Sequence, residues 1–310
     1  MCVGGRDAAA ILSMWRTELT GDGAQPKTAF VFAGGGSFGA IQVGMLHSPA
    51  THGIAADMVF GSSAGALNAA YYAGNPTLEG VRGLETIWRG LRRQDVFPLT
   101  LKTLYGFIRR RDFLVTSQGL RGIIDTHLPY RNLEDAKIPI HVVATDILSG
   151  ETVVLSKGSA ADAILASAAI PAAFAPVHFE NLYLADGAIC SNTPVRVAAA
   201  LGAKRLIILP TGYACALQAP PIGAVANALH ALTLLIARQL ISELDGLERD
   251  IDYYVLPPLC PLECSPYDFS RTGELIERAI ASTDEWIDGG GLTAPRTHAQ
   301  LGLHKHKPKH

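Results

Sequence analysis

The sequence predicts an α/β protein whose mainly parallel sheet is covered by helices on both faces. Three observations carry this. Short apolar runs of β type alternate with helix-type runs from Thr28 onward, the pattern of strands joined by crossover helices. Two of the alternations turn on glycine-framed segments, Gly34-Gly35-Gly36-Ser37-Phe38-Gly39 and Gly61-Ser62-Ser63-Ala64-Gly65. With 48% of 310 residues apolar and 17% charged, the chain has the material to bury a substantial core.

The elements follow in order. Residues 1–27 form a lead-in with little signal, 28–287 the predicted domain, and 288–310 a tail. Ala29 to Ala33 reads as a strand, Ala40 to Leu46 as a helix, Met58 to Phe60 as a second strand and Ala66 to Ala73 as a second helix. Ile140 to Ala144 and Glu151 to Leu155 read as strands joined by the turn-forming Leu148-Ser149-Gly150. Thr193-Pro194 has the form of an N-cap followed by proline at the first helical position, Gly202 ends that helix, and Arg205 to Leu209 returns as a strand. Ile222 to Leu240 is the most membrane-like stretch, but Asn227, His230, Thr233, Arg238 and Gln239 interrupt it. A span needs about 20 predominantly apolar residues, so a buried or half-buried helix is expected. Beyond Ile287, Asp288-Gly289-Gly290-Gly291 and a His/Lys-rich end carry too little apolar surface to offset ordering, which predicts a disordered tail. There is no internal repeat.

Composition narrows function. A net charge of -2 offers no global basic field, so a nucleic-acid partner is not expected. Cys2, Cys190, Cys215, Cys260 and Cys264 are odd in number and scattered, which argues against a disulfide framework. Cys260 and Cys264 lack a second pair with ligand spacing, so no metal is expected. Arg6, Asp7, Arg16 and Glu18 break up any apolar start, leaving no signal-peptide pattern. A cytoplasmic protein with reduced thiols is the expectation.

The glycine turns carry chemistry. Gly61 and Gly65 let the backbone turn sharply and place Ser63 at a helix N-terminus, where positive partial charge favours an incipient alkoxide. Backbone N–H groups of Gly35 and Gly36 can approach a tetrahedral oxyanion closely. Gly34, Gly36 and Gly39 also satisfy the G-x-G-x-x-G of dinucleotide folds, which want an acidic residue at the end of the second strand. Asp57 has the spacing but precedes the Met58 to Phe60 strand, at the wrong end for a ribose.

A serine hydroxyl needs a base. Of ten histidines, none sits in an obvious catalytic loop. Asp186 follows the apolar run Leu182 to Ala185 and precedes Gly187, as at a strand end with a tight turn. Burial would raise its pKa and make it a better base. An isolated Asp-Gly also reads as a surface turn.

Gly34-Gly35-Gly36-Ser37-Phe38-Gly39, Gly61-Ser62-Ser63-Ala64-Gly65 and Asp186-Gly187-Ala188, in this order, resemble the patatin-like phospholipases. Ala144-Thr145-Asp146, Ser149-Gly150-Glu151 and Ala166-Ser167-Ala168-Ala169-Ile170-Pro171 add to the resemblance, which runs from about Thr28 to Thr211. It implies a three-layer α/β/α fold and hydrolysis of lipid acyl esters without cofactor or metal. It also implies a Ser-Asp dyad of Ser63 as nucleophile and Asp186 as proton acceptor, with Gly35 and Gly36 as oxyanion donors. Members commonly carry Arg or Lys where this chain has Phe38, so any side-chain charge aiding the oxyanion or a lipid phosphate is gone. Two other readings stand beside it: a catalytically idle lipid-binding module, prompted by Phe38, and an esterase with a Ser-His-Asp triad.

Between elbow and aspartate, Arg82 to Arg121 holds nine Arg or Lys against three acids, interleaved with Trp88, Phe97, Tyr105, Phe107 and Phe113. This cap-like stretch is expected either to touch anionic lipid surfaces, where each basic group adds about 1 kcal/mol, or to turn its apolar residues to the core.

Overall fold

A mixed sheet of eight strands organises the chain, in a computed structural model that describes residues 27–97, 115–217 and 219–296. Its strands are β1 (Thr28–Phe32), β2 (Met58–Ser62), β3 (Ile140–Asp146), β4 (Thr152–Leu155), β5 (Val177–Phe179), β6 (Leu182–Asp186), β7 (Arg205–Leu209) and β8 (Asp252–Val255). They lie in the order β5-β6-β3-β2-β1-β7-β8, with β4 also pairing with β3. From β3 to β8 every neighbouring pair is parallel, whereas β4, β5 and β6 are joined antiparallel. The parallel strands therefore all end at one edge of the sheet, and the two glycine turns leave from that edge.

Alternation along the strands separates two cores, because successive side chains point to opposite faces. Phe30 and Phe32 pack on one face with Ile41, Val43, Ala66, Leu84, Leu275 and Ile276. Ala29 and Val31 pack on the other with Val195, Ala198, Leu206, Ile208 and Leu244. Helices α1 (Gly39–Thr51), α2 (Ala64–Gly74), α3 (Leu78–Gly90), α4 (Arg93–Val96), α5 (Gln118–His127) and α6 (Ala160–Ser167) follow the earlier strands. Helices α7 (Val195–Ala200), α8 (Ala224–Ile236), α9 (Gln239–Asp245) and α10 (Thr272–Asp288) complete the chain. Sheet and flanking helices make the three-layer α/β/α arrangement read from the sequence. Every residue from Gly39 to Leu46 is buried, as expected of a helix that is apolar but for Gln42 over this stretch and held between a sheet and another helix. Helix α3 buries only Val81, Leu84 and Trp88 besides Gly80, and the Thr77 hydroxyl caps it by accepting the Gly80 N–H at 3.1 Å.

A buried polar chain holds the edge where the strands end. Gln42 Nε2 donates to the carbonyls of Ala33 and Leu209 at 2.7 and 2.8 Å. Asn68 Nδ2 donates to Gln42 Oε1 at 2.8 Å, and Trp88 Nε1 donates to Asn68 Oδ1 at 2.8 Å. Residues from α1, α2 and α3 are thus tied to the exits of β1 and β7. Every member is partnered, which is what makes such a network stabilising in a low-dielectric interior.

The structure departs from the sequence reading in three places. Helix α7 starts at Val195, with Pro194 at the N-cap and no side-chain cap. The Val195 N–H is taken by the Thr193 carbonyl at 2.6 Å, a tight turn that shifts the start; Gly202, at φ 93°, ends the segment as expected. The Ile222 to Leu240 stretch is two helices, α8 and α9, separated at Ala237 and Arg238. No helix among the described residues is long and apolar enough to cross a membrane. The expected tail begins late: Gly289 to Arg296 folds back on β8, where the Arg296 N–H donates to the Tyr253 carbonyl at 2.8 Å and its guanidinium to the Ile251 carbonyl. Those backbone acceptors supply the ordering that composition alone lacks. Residues 1–26, 98–114 and 297–310, and with them most of the lead-in, the middle of the basic stretch and the end of the tail, lie outside the described residues.

Candidate active site

The site is built where β1, β2 and β6 end. After β2 the chain turns so sharply into α2 that Ser63 takes φ 53° and ψ -125°, a strained backbone for a residue with a Cβ. Such a turn brings Gly65 against β1, where a Cβ would strike the carbonyls of Phe32 and Ala33; only glycine fits. The strain is held from outside: the Ser63 N–H donates to Ser167 Oγ at 2.9 Å, and Ser167 Oγ donates to the Val143 carbonyl at 2.5 Å.

Sheet register brings the aspartate to the serine. Ser62 pairs with Val143 of β3, and the next residue of β3, Ala144, pairs with Asp186 of β6. Ser63 and Asp186 are thus level with each other, two strand spacings apart, or roughly 9–10 Å of backbone separation, which their side chains bridge. The Ser63 hydroxyl donates to Asp186 Oδ2 at 2.7 Å. Asp186 Oδ1 accepts the Ala188 N–H at 2.9 Å, and its carbonyl accepts the Thr145 hydroxyl at 2.9 Å. Ser63 and Asp186 are both buried. Burial pushes the Asp186 carboxyl up to about 6, against the opposing pull of the Ala188 and Ser63 hydrogen bonds. Tyr267, on the same cavity wall, is pushed up to about 12 by burial and then by the Asp186 charge.

The first glycine turn faces this pair. The Gly34 carbonyl accepts Thr211 Oγ1 at 2.6 Å and Asn192 Nδ2 at 3.4 Å, while the Gly34 N–H donates to the Asn192 carbonyl at 3.0 Å. Gly36 has φ 57°, and a Cβ there would strike the Pro266 carbonyl, which also accepts the Ser37 N–H at 2.7 Å. Among the described residues no acceptor takes the Gly35 or Gly36 N–H. Both glycines line the cavity that also holds Ser63 and Asp186. Gly39 closes the turn against Trp88, and Gly61 packs against Gly65 and Ala66. Phe38 is fully buried on the wall of the same cavity. Asp57, the residue a nucleotide site would need, lies at the opposite end of β2, where its carboxylate accepts the Thr28 N–H at 2.7 Å.

Two cavities meet at Ser63. The larger, about 340 Å³, is walled mainly by apolar groups and carries Gly34, Asn192 and Thr211 on its polar side. The smaller, about 50 Å³, is lined by Leu67, Trp88, Leu91, Phe97, Phe174 and Phe269. Gly36, Ser63 and Ile170 belong to both. Among the described residues no histidine lines either cavity, and no three His, Cys, Asp or Glu side chains gather as a metal would require.

Four supporting residues were not singled out from sequence. Ser167 and Thr145 lie inside the motif stretches Ala166-Ser167-Ala168 and Ala144-Thr145-Asp146 as small polar residues in apolar surroundings. Asn192 and Thr211 gave a similar signal, polar side chains beside strand ends, but only the sheet order carries them to Gly34.

A family model described as patatin-like phospholipase matches residues 30–199. Patatin-like phospholipase domain-containing protein 7 of Rattus norvegicus is 27% identical over 186 residues, covering 59% of this chain and 13% of that protein. Lysophospholipase NTE1 of Scheffersomyces stipitis is 27% identical over 192 residues, covering 59% of this chain and 12% of that protein. The chain thus spans a small part of the length of these relatives. Among solved structures, VipD from Legionella pneumophila aligns with a TM-score of 0.44 and 16% identity, over 86% of this chain and 67% of that one.

Proposed function

This chain belongs to the patatin-like phospholipase family, and from that membership we propose that it is a lipid acyl hydrolase working through Ser63 and Asp186. The observation that carries the reading is the 2.7 Å hydrogen bond from the Ser63 hydroxyl to a buried carboxylate, at a strained turn beside an apolar cavity. Ser63 Oγ attacks the ester carbonyl as Asp186 Oδ2 takes its proton, and the Gly35 and Gly36 N–H groups receive the oxyanion. The alkoxide leaves with that proton, giving an acyl-serine. Water, deprotonated by Asp186, then releases the fatty acid and restores Ser63. An oxyanion donor is worth roughly 3–4 kcal/mol in the transition state, and that share here falls to backbone groups, since Phe38 brings no charge.

Asp186 accepts the Ser63 proton directly, which leaves no task for a histidine and disfavours a triad esterase. The lipid substrate is reached from the sheet edge where the parallel strands end. At that edge the β3–β4 turn exposes Ile147 and Leu148, the latter 78% exposed, as contacts for a lipid surface. The described part of the basic stretch supports that contact less well. Arg89 pairs with Glu85 and Glu277, Arg121 pairs with Asp162, and Trp88 is buried.

Hydrolysis of p-nitrophenyl esters and of phospholipid by wild type, Ser63→Ala and Asp186→Asn tests the proposal. Loss of turnover in both variants is expected; turnover undiminished in either would sink the dyad.

A further inference from the structure

Two sulfurs stand side by side in the wall of the larger cavity. Cys215 Sγ and Cys260 Sγ are 3.9 Å apart, and both residues line the space that opens on Ser63. They come from different crossings of the sheet edge, one on the segment after β7 and the other on the segment after β8. Backbone contacts hold these segments together: the Ala216 N–H donates to the Leu262 carbonyl at 3.0 Å, and the Leu262 N–H donates to Cys215 Sγ at 3.3 Å. That second bond fixes the Cys215 sulfur on the side of Cys260. The other thiols of the described residues are placed differently, Cys264 buried in the core and Cys190 donating to the Gly150 carbonyl.

We propose that Cys215 and Cys260 are a redox-modification site, closing to a disulfide under peroxide and thereby drawing together the two segments that wall the cavity beside Ser63. An S–S bond is about 2.0 Å long, so closure needs an approach of roughly 2 Å, within the reach of side-chain rotation in a surface segment. The first step falls to Cys215, whose sulfur the Leu262 N–H holds in place, while burial, and then the neighbouring Cys215, pushes the Cys260 thiol up. Its sulfur attacks one oxygen of hydrogen peroxide, the O–O bond breaks, water leaves, and the sulfur is oxidised by two electrons to a sulfenic acid. The Cys260 sulfur attacks that sulfur, the S–O bond breaks, and the hydroxide departs as water with the Cys260 proton. Two thiols and one peroxide give one disulfide and two waters. The same segments carry Tyr213, Pro258 and Leu259 into the cavity wall, so their closure narrows the space for an acyl ester. This last consequence rests on the hydrolase reading; the disulfide does not.

The full chain, reduced and then exposed to a peroxide titration, is alkylated and mapped without reduction. Glu263 lies between Cys260 and Cys264, so cleavage after glutamate together with trypsin separates the two candidate partners. The expected product is a Cys215–Cys260 linked peptide, reversed by dithiothreitol and absent from Cys215→Ser and Cys260→Ser. Singly oxidised or alkylated Cys215 and Cys260, or a link to Cys2, Cys190 or Cys264 in their place, overturns the site. In parallel, p-nitrophenyl decanoate turnover should fall about tenfold or more on oxidation, because the narrowed wall displaces the ester from Ser63 and a misplacement of about 1 Å can cost up to about a hundredfold. It should recover on reduction and stay constant in Cys215→Ser. A disulfide that forms without changing turnover overturns the narrowing. A reduced enzyme with no turnover at all refutes the hydrolase reading, and the peptide map still decides the site.

Discussion

Ser167 accepts the backbone N–H of Ser63 at 2.9 Å while donating its own hydroxyl proton to the Val143 carbonyl at 2.5 Å. One side chain therefore ties the strained turn to the neighbouring strand. Ser167→Ala leaves both buried groups unpartnered, at a cost of about 1–3 kcal/mol each. We expect a lower unfolding midpoint and a kcat reduced by about tenfold or more as Ser63 loses its setting. Ester kinetics and a thermal melt on the same preparation check it; an unchanged kcat at reduced stability would make Ser167 purely structural.

The raised carboxyl predicts the pH profile. With Asp186 pushed up to about 6 by burial, the deprotonated base is lost as pH falls through that value. The acid limb of kcat/KM should therefore bend near pH 6 rather than near 4, with activity rising toward neutral pH. A pH–rate series from 4.5 to about 8 on a short-chain ester reads the limb. A limb near 4 would mean that the acting base is not this buried carboxyl.

The same shift makes a statement about stability. In the folded chain Asp186 holds its proton up to about pH 6, while its ordinary value is 3.8, so the folded state binds more protons between these values and stability falls as pH rises through the window. Above it the full burial penalty is present, about 1–3 kcal/mol for a shift of this size. Asp186→Asn removes that penalty while keeping an acceptor for the Ala188 N–H. We expect Asp186→Asn to melt higher than wild type at pH 7.5 and to lose the advantage near pH 4. A variant less stable at both would show that the carboxylate is held favourably.

Much of the candidate site was legible in the residues because its parts sit in contiguous motifs. The strand before Gly34, the elbow around Ser63 and the end of β6 at Asp186 each announce themselves locally, through apolar runs cut by glycine. Sheet order is not local. That Ser63 and Asp186 are level follows from β3 lying between β2 and β6, and no spacing in the chain encodes it. The same holds for Asn192 and Thr211, which converge on Gly34 from separate crossings, and for the thiols of Cys215 and Cys260. Strand β8 escaped because Asp252-Tyr253-Tyr254-Val255 is short and follows charged residues. Arg296 closes the tail through backbone carbonyls that composition does not reveal.

Leu148, 78% exposed beside Ile147 at the β3–β4 turn, should carry part of the lipid contact. Burying one such side chain is worth roughly 1.5–3 kcal/mol, so Leu148→Glu should weaken sedimentation with phosphatidylcholine/phosphatidylserine vesicles by about tenfold or more. Turnover of a soluble ester should not change, since Leu148 lines neither cavity. Equal vesicle binding by wild type and variant would move the contact elsewhere.

Thr211 tests how the proposed oxyanion donors are set. Its hydroxyl donates to the Gly34 carbonyl at 2.6 Å, and with Asn192 it fixes the peptide that leads into Gly35 and Gly36. Thr211→Val keeps the shape and removes the donor. Losing that bond while the carbonyl keeps the longer Asn192 contact costs about 0.5–1.5 kcal/mol. Because a misaligned N–H pair weakens the transition state more than the ground state, the loss should fall on kcat with KM nearly constant. Thr211→Ser, which restores the hydroxyl, should recover most of it. Fluorophosphonate labelling adds a second readout, since formation of the tetrahedral adduct also draws on the donors and should slow in parallel. A change confined to KM would place Thr211 in substrate binding, and a failure of Thr211→Ser to rescue would separate the turn from the hydroxyl that is argued to hold it.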